Sequence, residues 1–188
     1  SEHFSIWYAI KNINNSNISK IYLTASGGSL LNIKNKNIKK ISIDDVLKHP
    51  NWKMGKKITI DSSTMMNKVF EIIEAKNIFN IELKKLSILI HPKSYIHAII
   101  KFNDGMIKII AHETTMEIPI YNSIYDKEDN KYHAKDINFD KLNNLNLKQI
   151  NTKKFPLTKI LNLIPKNISL FETILVAAND ELVRLYLN

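Results

Sequence analysis

Glycine is scarce in this chain, and its few positions mark where the backbone is held to special geometry. The 188 residues include four glycines, Gly27, Gly28, Gly55 and Gly105. Ordinary usage would supply about thirteen. A chain this sparing keeps glycine where a turn or a close approach demands it. Three of the four bracket residues 26–55, which makes Gly28 and Gly55 hinge-side candidates for a lid loop over 29–55. The fourth closes Asn103-Asp104-Gly105, a hairpin signal between the apolar runs Ile96–Phe102 and Met106–Ala111.

Around these points the pattern predicts elements. Lys20-Ile21-Tyr22-Leu23-Thr24 reads as a strand, broken by Ala25-Ser26-Gly27-Gly28-Ser29. Within the polar stretch that follows, Ser42–Lys48 reads as a short helix with Asp44 and Asp45 in its first turn. Lys57-Ile58-Thr59-Ile60-Asp61 alternates like a second strand. Ser62-Ser63-Thr64 then offers N-caps for a helix from Met65 to Phe79. Leu86–Ile90 reads as a third strand. Residues 126–152 are polar and weakly periodic, as a linker is. From Phe155 the pattern is helical, with a capping box at Ser169–Glu172 and a final helix that ends with the chain, as if the C-terminus were cut. The expected fold class is α+β: a mixed sheet with helices on one face over 1–125, a linker at 126–152, and part of an α-helical C-terminal domain over 153–188.

Composition narrows the chemistry. There is no cysteine, which excludes a disulfide scaffold, a thiolate zinc site and a cysteine nucleophile. No apolar run approaches the ~20 residues of a membrane span. Ser1-Glu2-His3 is no secretory start, and the missing Met reads as truncation or processing. The net charge of +9 is compatible with nucleic acid, an anionic membrane or phosphorylated ligands. The lysines are dispersed among Asn and Ile, as at Asn32–Lys40, which reads as solvated surface rather than a nucleic-acid patch. No dinucleotide fingerprint, Walker loop, zinc-hydrolase motif or nucleophile elbow occurs.

Three stretches are candidates for chemistry. On a helix over 65–79, Asn67, Glu71 and Glu74 share one face, while Met66, Val69, Phe70 and Ile73 form another. Helix N–H groups, the Ser62 hydroxyl, the Asn67 amide and the Lys68 ammonium would together suit a phosphate, and Glu71 a hard divalent metal beside it. Spacing alone favours a plain capped amphipathic helix. Ser26-Gly27-Gly28 is an anion-binding turn or an ordinary one. His49-Pro50-Asn51-Trp52-Lys53-Met54-Gly55 is a lid tip, or a loop whose Trp52 packs on the core. Of the remaining histidines, His91 and His97 read as structural.

These stretches, in their order, resemble one family. Ser1-Glu2-His3, Leu23–Gly28, and above all the unbroken run His49–Lys68 look like the 1-deoxy-D-xylulose 5-phosphate reductoisomerases of the non-mevalonate isoprenoid route. Glu71–Ala75, Leu89–His97 and Ala177-Ala178-Asn179-Asp180 extend the likeness, which is weak over 126–168. The resemblance implies an NADPH-dependent oxidoreductase and isomerase. It would rearrange its substrate's carbon skeleton and reduce the product to 2-C-methyl-D-erythritol 4-phosphate, with Mn2+, Mg2+ or Co2+ as Lewis acid. It implies Glu2 and Glu71 as metal ligands and, with His49, as catalytic residues. It implies substrate contacts from Ser1, Glu2, Ser26, His49, Ser62, Asn67, Lys68 and Glu71, with Trp52 and Met54 in the lid, and Gly55 beside the nicotinamide. It further implies a homodimer in the bacterial cytoplasm or a plastid.

The family's third metal ligand is an Asp immediately before the Ser-Glu-His run, and its NADPH-binding domain precedes that Asp. Neither is in these residues, so this stretch alone is not expected to turn over NADPH. Ser29-Leu30-Leu31 stands where the family has Pro-Phe-Arg, Glu113-Thr114-Thr115-Met116 where it has Glu-Pro-Asp-Met, and Val69 where it favours Gly. Two other readings stand beside this one: a basic nucleic-acid-binding module, and an inactive relative that keeps only the fold.

Overall fold

The computed structural model describes residues 1–34, 40–125, 132–167 and 169–188. It divides into two compact units, one of Ser1–Ser26 with Ala75–Gln149, the other of Gly27–Glu74 with Ile150–Asn188.

The first unit is built on a mixed five-stranded sheet. Helix α1 spans Glu2–Ile10, then come β1 (Ile18–Ala25), β2 (Leu86–Ile90), β3 (Ile96–Phe102) and β4 (Ile107–Ala111). The order across the sheet is β4-β3-β1-β2 and then a short edge strand, β5 (Lys148–Gln149). Strand β1 runs parallel to β2 and antiparallel to β3. A parallel pair needs a crossover, and here the chain between the two strands passes through the second unit. Ile18, Ile21 and Leu23 of β1 are buried, as are Ile96, Ala98 and Ile100 of β3. The hairpin between β3 and β4 forms as expected. Gly105 takes φ +89, and Asp104 Oδ1 accepts from the Met106 N–H at 2.9 Å.

Helix α1, which packs on β3 and β4, was not anticipated. Its buried stripe is only Ser5, Ile6 and Ala9, and aromatic residues on its other faces blur the period. The segment expected as a linker carries structure in its described part. Helix α5 spans Glu117–Ile124 before it, α6 spans Phe139–Asn143, and β5 follows. His91, fully buried, bonds the Leu145 carbonyl through Nδ1 at 2.6 Å, and Lys93 Nζ donates to the Asp140 carbonyl at 3.2 Å.

The second unit is helical. Helix α2 spans Ile43–Val46, with Ser42 accepting from the Asp45 N–H as its cap, as its sequence suggests. Helices α3 (Lys56–Thr64) and α4 (Met66–Ile78) follow, α4 carrying the chain back into the first unit, and α7 spans Phe171–Leu187 after a 3-10 segment at Pro156–Leu163. The strand expected at Lys57–Asp61 is therefore a helix. The alternation misled because the buried positions are Thr59, Ile60, Asp61 and Ser63, while Ile58 faces out. Packing overrides β-propensity here: Ile60 shares a core with Val46 and Val183, flanked by Leu30, Leu47 and Leu187. The hydroxyls of Thr59, Ser63 and Thr64 bond carbonyls four residues back, which makes these residues compatible with a helix. Ser62, Ser63 and Thr64 accordingly belong to the last turn of α3, and Thr64 Oγ1 in addition accepts from the N–H of Met66, the first residue of α4, at 3.4 Å. Met65, buried with φ +67, turns the chain directly from α3 into α4. Among the described residues no helix is long and apolar enough to cross a membrane.

Candidate functional site

In the second unit, the root of the expected lid rests on α3. Gly28 has φ +61, and a Cβ there would lie 2.6 Å from the Ser63 Cα. Only glycine allows that approach. Ser29, one of the departures from the family pattern, donates from Oγ to the Val46 carbonyl at 2.7 Å and lies 2.8 Å from Ser63 Oγ. Its hydroxyl thus ties Ser29 and Val46 to α3.

At the tip, hydrogen bonds fix the tautomer of His49. Its Nδ1 accepts from the backbone N–H of Asn51 at 3.2 Å and of Trp52 at 2.9 Å. An accepting nitrogen carries no proton, so the neutral ring is protonated at Nε2. That nitrogen lies 3.1 Å from Ser62 Oγ and donates to it. Burial pushes the His49 pKa below its ordinary value, in keeping with a neutral ring. Because Ser62 Oγ accepts from His49, the hydroxyl's own proton can be given to an acceptor such as a phosphate oxygen.

Beyond the turn at Met65, α4 presents a compact ionic cluster. Asn67 Nδ2 donates to Glu71 Oε1 at 2.6 Å, and Lys68 Nζ donates to Glu71 Oε2 at 2.7 Å. The i,i+4 spacing read from the sequence therefore gives a contact. The side chains of Lys68 and Glu71 are 6% and 13% exposed, so their charges are little screened by water. Both oxygens of the candidate metal ligand are held by candidate phosphate donors. An anion that takes Lys68 and Asn67 would release Glu71, a hard oxygen ligand of the kind magnesium and manganese prefer.

The other expected site residues fall as follows. Trp52 and Met54 are half-buried. Gly55 caps α3 with an ordinary φ of −63, and nothing lies within 4 Å of a Cβ built on it. Of the four glycines it alone has no positive φ and is not at a crowded or turning position, so the chain's own fold does not require it. Ser1, Glu2 and Ser26 lie in the first unit. There Ser1 Oγ donates to Glu2 Oε2 at 2.7 Å, and Ser26 follows the end of β1. The rings of His97 and His112 stack at 3.7 Å, His97 Nε2 lies 3.3 Å from the His112 carbonyl, and burial lowers the His97 pKa to about 3. Among the described residues no three His, Cys, Asp or Glu side chains are grouped as a metal ligand set. Glu2 in the first unit and Glu71 in the second each offer hard carboxylate oxygens, the donor type that a divalent cation takes.

Sequence reasoning missed a second cluster in this unit. Asp61, 2% exposed, accepts at Oδ1 from Asn179 Nδ2 and at Oδ2 from Lys57 Nζ, both at 2.8 Å. Lys57 also pairs with Asp180 at 2.9 Å and stands over the Phe70 ring, 5.4 Å from its centroid. The i,i+4 spacing of Lys57 and Asp61 was legible only to a reader who took 57–61 as helix.

Fold and clusters define an α+β protein with a mixed five-stranded sheet and a helical unit whose helix junction is dense in anion donors. Two family models, both described as 1-deoxy-D-xylulose 5-phosphate reductoisomerase C-terminal domains, match residues 1–79 and 112–188. The enzyme of that name from Pelagibacter ubique is 61% identical over 188 residues, which are all of this chain and 48% of the relative. The one from a Sulfurihydrogenibium species is 37% identical over 187 residues, or 50% of the relative. A crystal structure of DOX-P reductoisomerase with NADPH, fosmidomycin and magnesium superposes with a TM-score of 0.78 at 33% identity, covering 87% of this chain and 42% of that one. The Zymomonas mobilis enzyme with NADPH gives 0.76 at 31% identity, covering 86% and 41%. The chain belongs to the 1-deoxy-D-xylulose 5-phosphate reductoisomerase family, and it spans about half the length of the curated relatives it matches.

Proposed function

We propose that this chain forms the substrate- and metal-binding part of a reductoisomerase that converts 1-deoxy-D-xylulose 5-phosphate to 2-C-methyl-D-erythritol 4-phosphate, using NADPH. The observation that carries this reading is the pairing of Asn67 and Lys68 with Glu71 on α4, beside a Ser62 hydroxyl set as a donor by His49.

The chain's own residues divide the work. Ser62, Asn67 and Lys68 take the phosphate oxygens, joined by Ser26. His49 holds the Ser62 hydroxyl in the donating orientation and carries the loop with Trp52 and Met54 over the substrate, where they exclude water. Ser1 orients the substrate, and Glu2 and Glu71 hold the metal. Bound magnesium, manganese or cobalt would supply Lewis-acid polarisation of the substrate oxygens. Gly55, where the fold itself does not ask for glycine, leaves room for the nicotinamide. A related structure that holds NADPH, fosmidomycin and magnesium supports these ligands. The complete protein would act in non-mevalonate isoprenoid biosynthesis in the bacterial cytoplasm. It would be a homodimer that uses the exposed β4 edge, where Ile107 and Ile109 face solvent.

Calorimetric titration of the chain with fosmidomycin, with and without Mn2+, tests this. Binding that Mn2+ tightens, and that Ser62→Ala weakens about tenfold through loss of one hydrogen bond to a charged group, is expected. No binding under either condition would refute the assignment.

A further inference from the structure

Three of the phosphate donors proposed above, Ser62, Asn67 and Lys68, sit on α3 and α4, which are adjacent in sequence. The last turn of α3 is nevertheless held from far away. Asp61 immediately precedes Ser62, and its carboxylate is almost wholly buried. One of its oxygens is taken by Lys57, a turn earlier on the same helix, and the other by Asn179 of α7, 118 residues further along the chain. The neighbour of Asn179, Asp180, takes Lys57 as well. Two consecutive residues of α7 thus grip both members of the Lys57–Asp61 pair. One turn further along α7, Val183 packs with Ile60.

Two physical consequences follow. A buried carboxylate is tolerated only when its oxygens are satisfied, and without Asn179 one of them loses its donor. The turn that bears Ser62 would then shift or admit water to satisfy it. Asp61 is also an anion next to the residue that must receive another anion. Lys57 and the Asn179 amide offset its charge in a poorly screened setting. Position and potential at Ser62 both depend on these partners.

We propose that α7 belongs to the phosphate site, with Asn179 and Asp180 as positioning residues that act through Asp61 and Lys57 on Ser62. This inference rests on the assignment of Ser62, Asn67 and Lys68 to phosphate. Neither Asn179 nor Asp180 touches the ligand. Asp180, more than half exposed, contributes less than Asn179.

The test uses the 188-residue chain, with inorganic phosphate as the probe and the Ser62 and Ser63 amide shifts as the readout, alongside the thermal midpoint. Wild type should saturate, and Lys68→Ala should abolish saturation; failure of either overturns the phosphate assignment itself and this inference with it. Given that binding, Asn179→Leu should weaken phosphate about tenfold and displace the Ser62 amide resonance before ligand is added. The exchange Asp61→Asn with Asn179→Asp restores an amide–carboxylate bond, still within the neighbourhood of Lys57, and should recover most of the affinity. Should Asn179→Leu fail to fold, the exchange is compared with Asp61→Asn alone, and only the exchange should bind near wild-type strength. If Asn179→Leu lowers the thermal midpoint but leaves phosphate affinity and the Ser62 shift unchanged, α7 is only a structural prop and the proposal falls. Equal affinities of Asp61→Asn and the exchange would overturn it as well.

Discussion

Replacing Lys68 by methionine keeps an apolar stem in a buried place and removes only the charge. In the structure that charge is spent on Glu71, at 2.7 Å and with both side chains largely out of water. If Lys68 is a phosphate ligand, the substitution removes a charge-assisted hydrogen bond worth about 1.5–3 kcal/mol. At ~1.4 kcal/mol per decade, phosphate should bind roughly 10- to 100-fold more weakly. The effect on metal runs the other way. In the absence of phosphate, Mn2+ must displace the ammonium from Glu71 Oε2; in Lys68→Met it need not. Relief of one charge-assisted hydrogen bond, ~1.5–3 kcal/mol, should tighten Mn2+ roughly 10- to 100-fold. Isothermal titration with each ligand separately, on protein shown to be folded by circular dichroism, gives both numbers. Phosphate affinity left unchanged, or Mn2+ binding that weakens without phosphate, would refute the view that Glu71 is shared between the two ligands. A uniform loss of both would instead mean that Lys68 is simply structural.

Other expectations follow from single features. Burial lowers the His97 pKa from 6.5 to about 3, so the unfolded chain binds a proton that the fold refuses. The stability that comes from neutral His97 is present above pH 6.5 and is lost as pH falls toward 3, a total on the order of 5 kcal/mol. Between pH 6.5 and 5, before most carboxylates titrate, the thermal midpoint should fall less steeply in His97→Gln than in wild type. Equal slopes would contradict this. Gly28→Ala should destabilise by about 2–4 kcal/mol in urea titration, since it adds a backbone clash to a left-handed φ, whereas Gly55→Ser should be neutral or stabilising by a few tenths as a better N-cap. If β4 joins two copies, Ile109→Lys should raise the dimer dissociation constant at least tenfold by sedimentation, and an unchanged value would exclude that edge.

What could be read from the sequence follows the range of the interactions. The β3–β4 hairpin, the Ser42 cap of α2 and the Ser169 start of α7, where the hydroxyl accepts from the Phe171 N–H and meets Glu172, are settled by residues within a few positions of each other. The Asn67–Glu71 contact was visible for the same reason. Helix α3 was not, because its Ile-Thr-Ile alternation is a strand pattern that only burial against Val46 and Val183 overrules. Strand β5 is two residues long and exposed, so it leaves no hydrophobic signature and exists through its pairing with Leu89 and Ile90. The interleaving of the two units, and the bond between Asp61 and Asn179, join distant stretches that no local pattern connects. As a family likeness, the run His49–Lys68 suggested the phosphate roles and the stretches Ser1-Glu2-His3 and Glu71–Ala75 the metal roles, since spacing alone was satisfied by an ordinary amphipathic helix.

The direct passage from α3 to α4 through Met65 bears on the order in which the protein is made. Every contact among Lys57, Asp61, Asn67, Lys68 and Glu71 spans at most four positions, and that from His49 to Ser62 spans 13. Such short loops close quickly, so this segment can take shape while the ribosome is still adding β2 and β3. The grip of Asn179 on Asp61 must wait for more than a hundred further residues. A nascent chain would therefore carry the ionic cluster of α4 well before α7 arrives to clamp the turn beside it. Until that helix arrives, Asp61 Oδ1 has to take from water the hydrogen bond that Asn179 later donates.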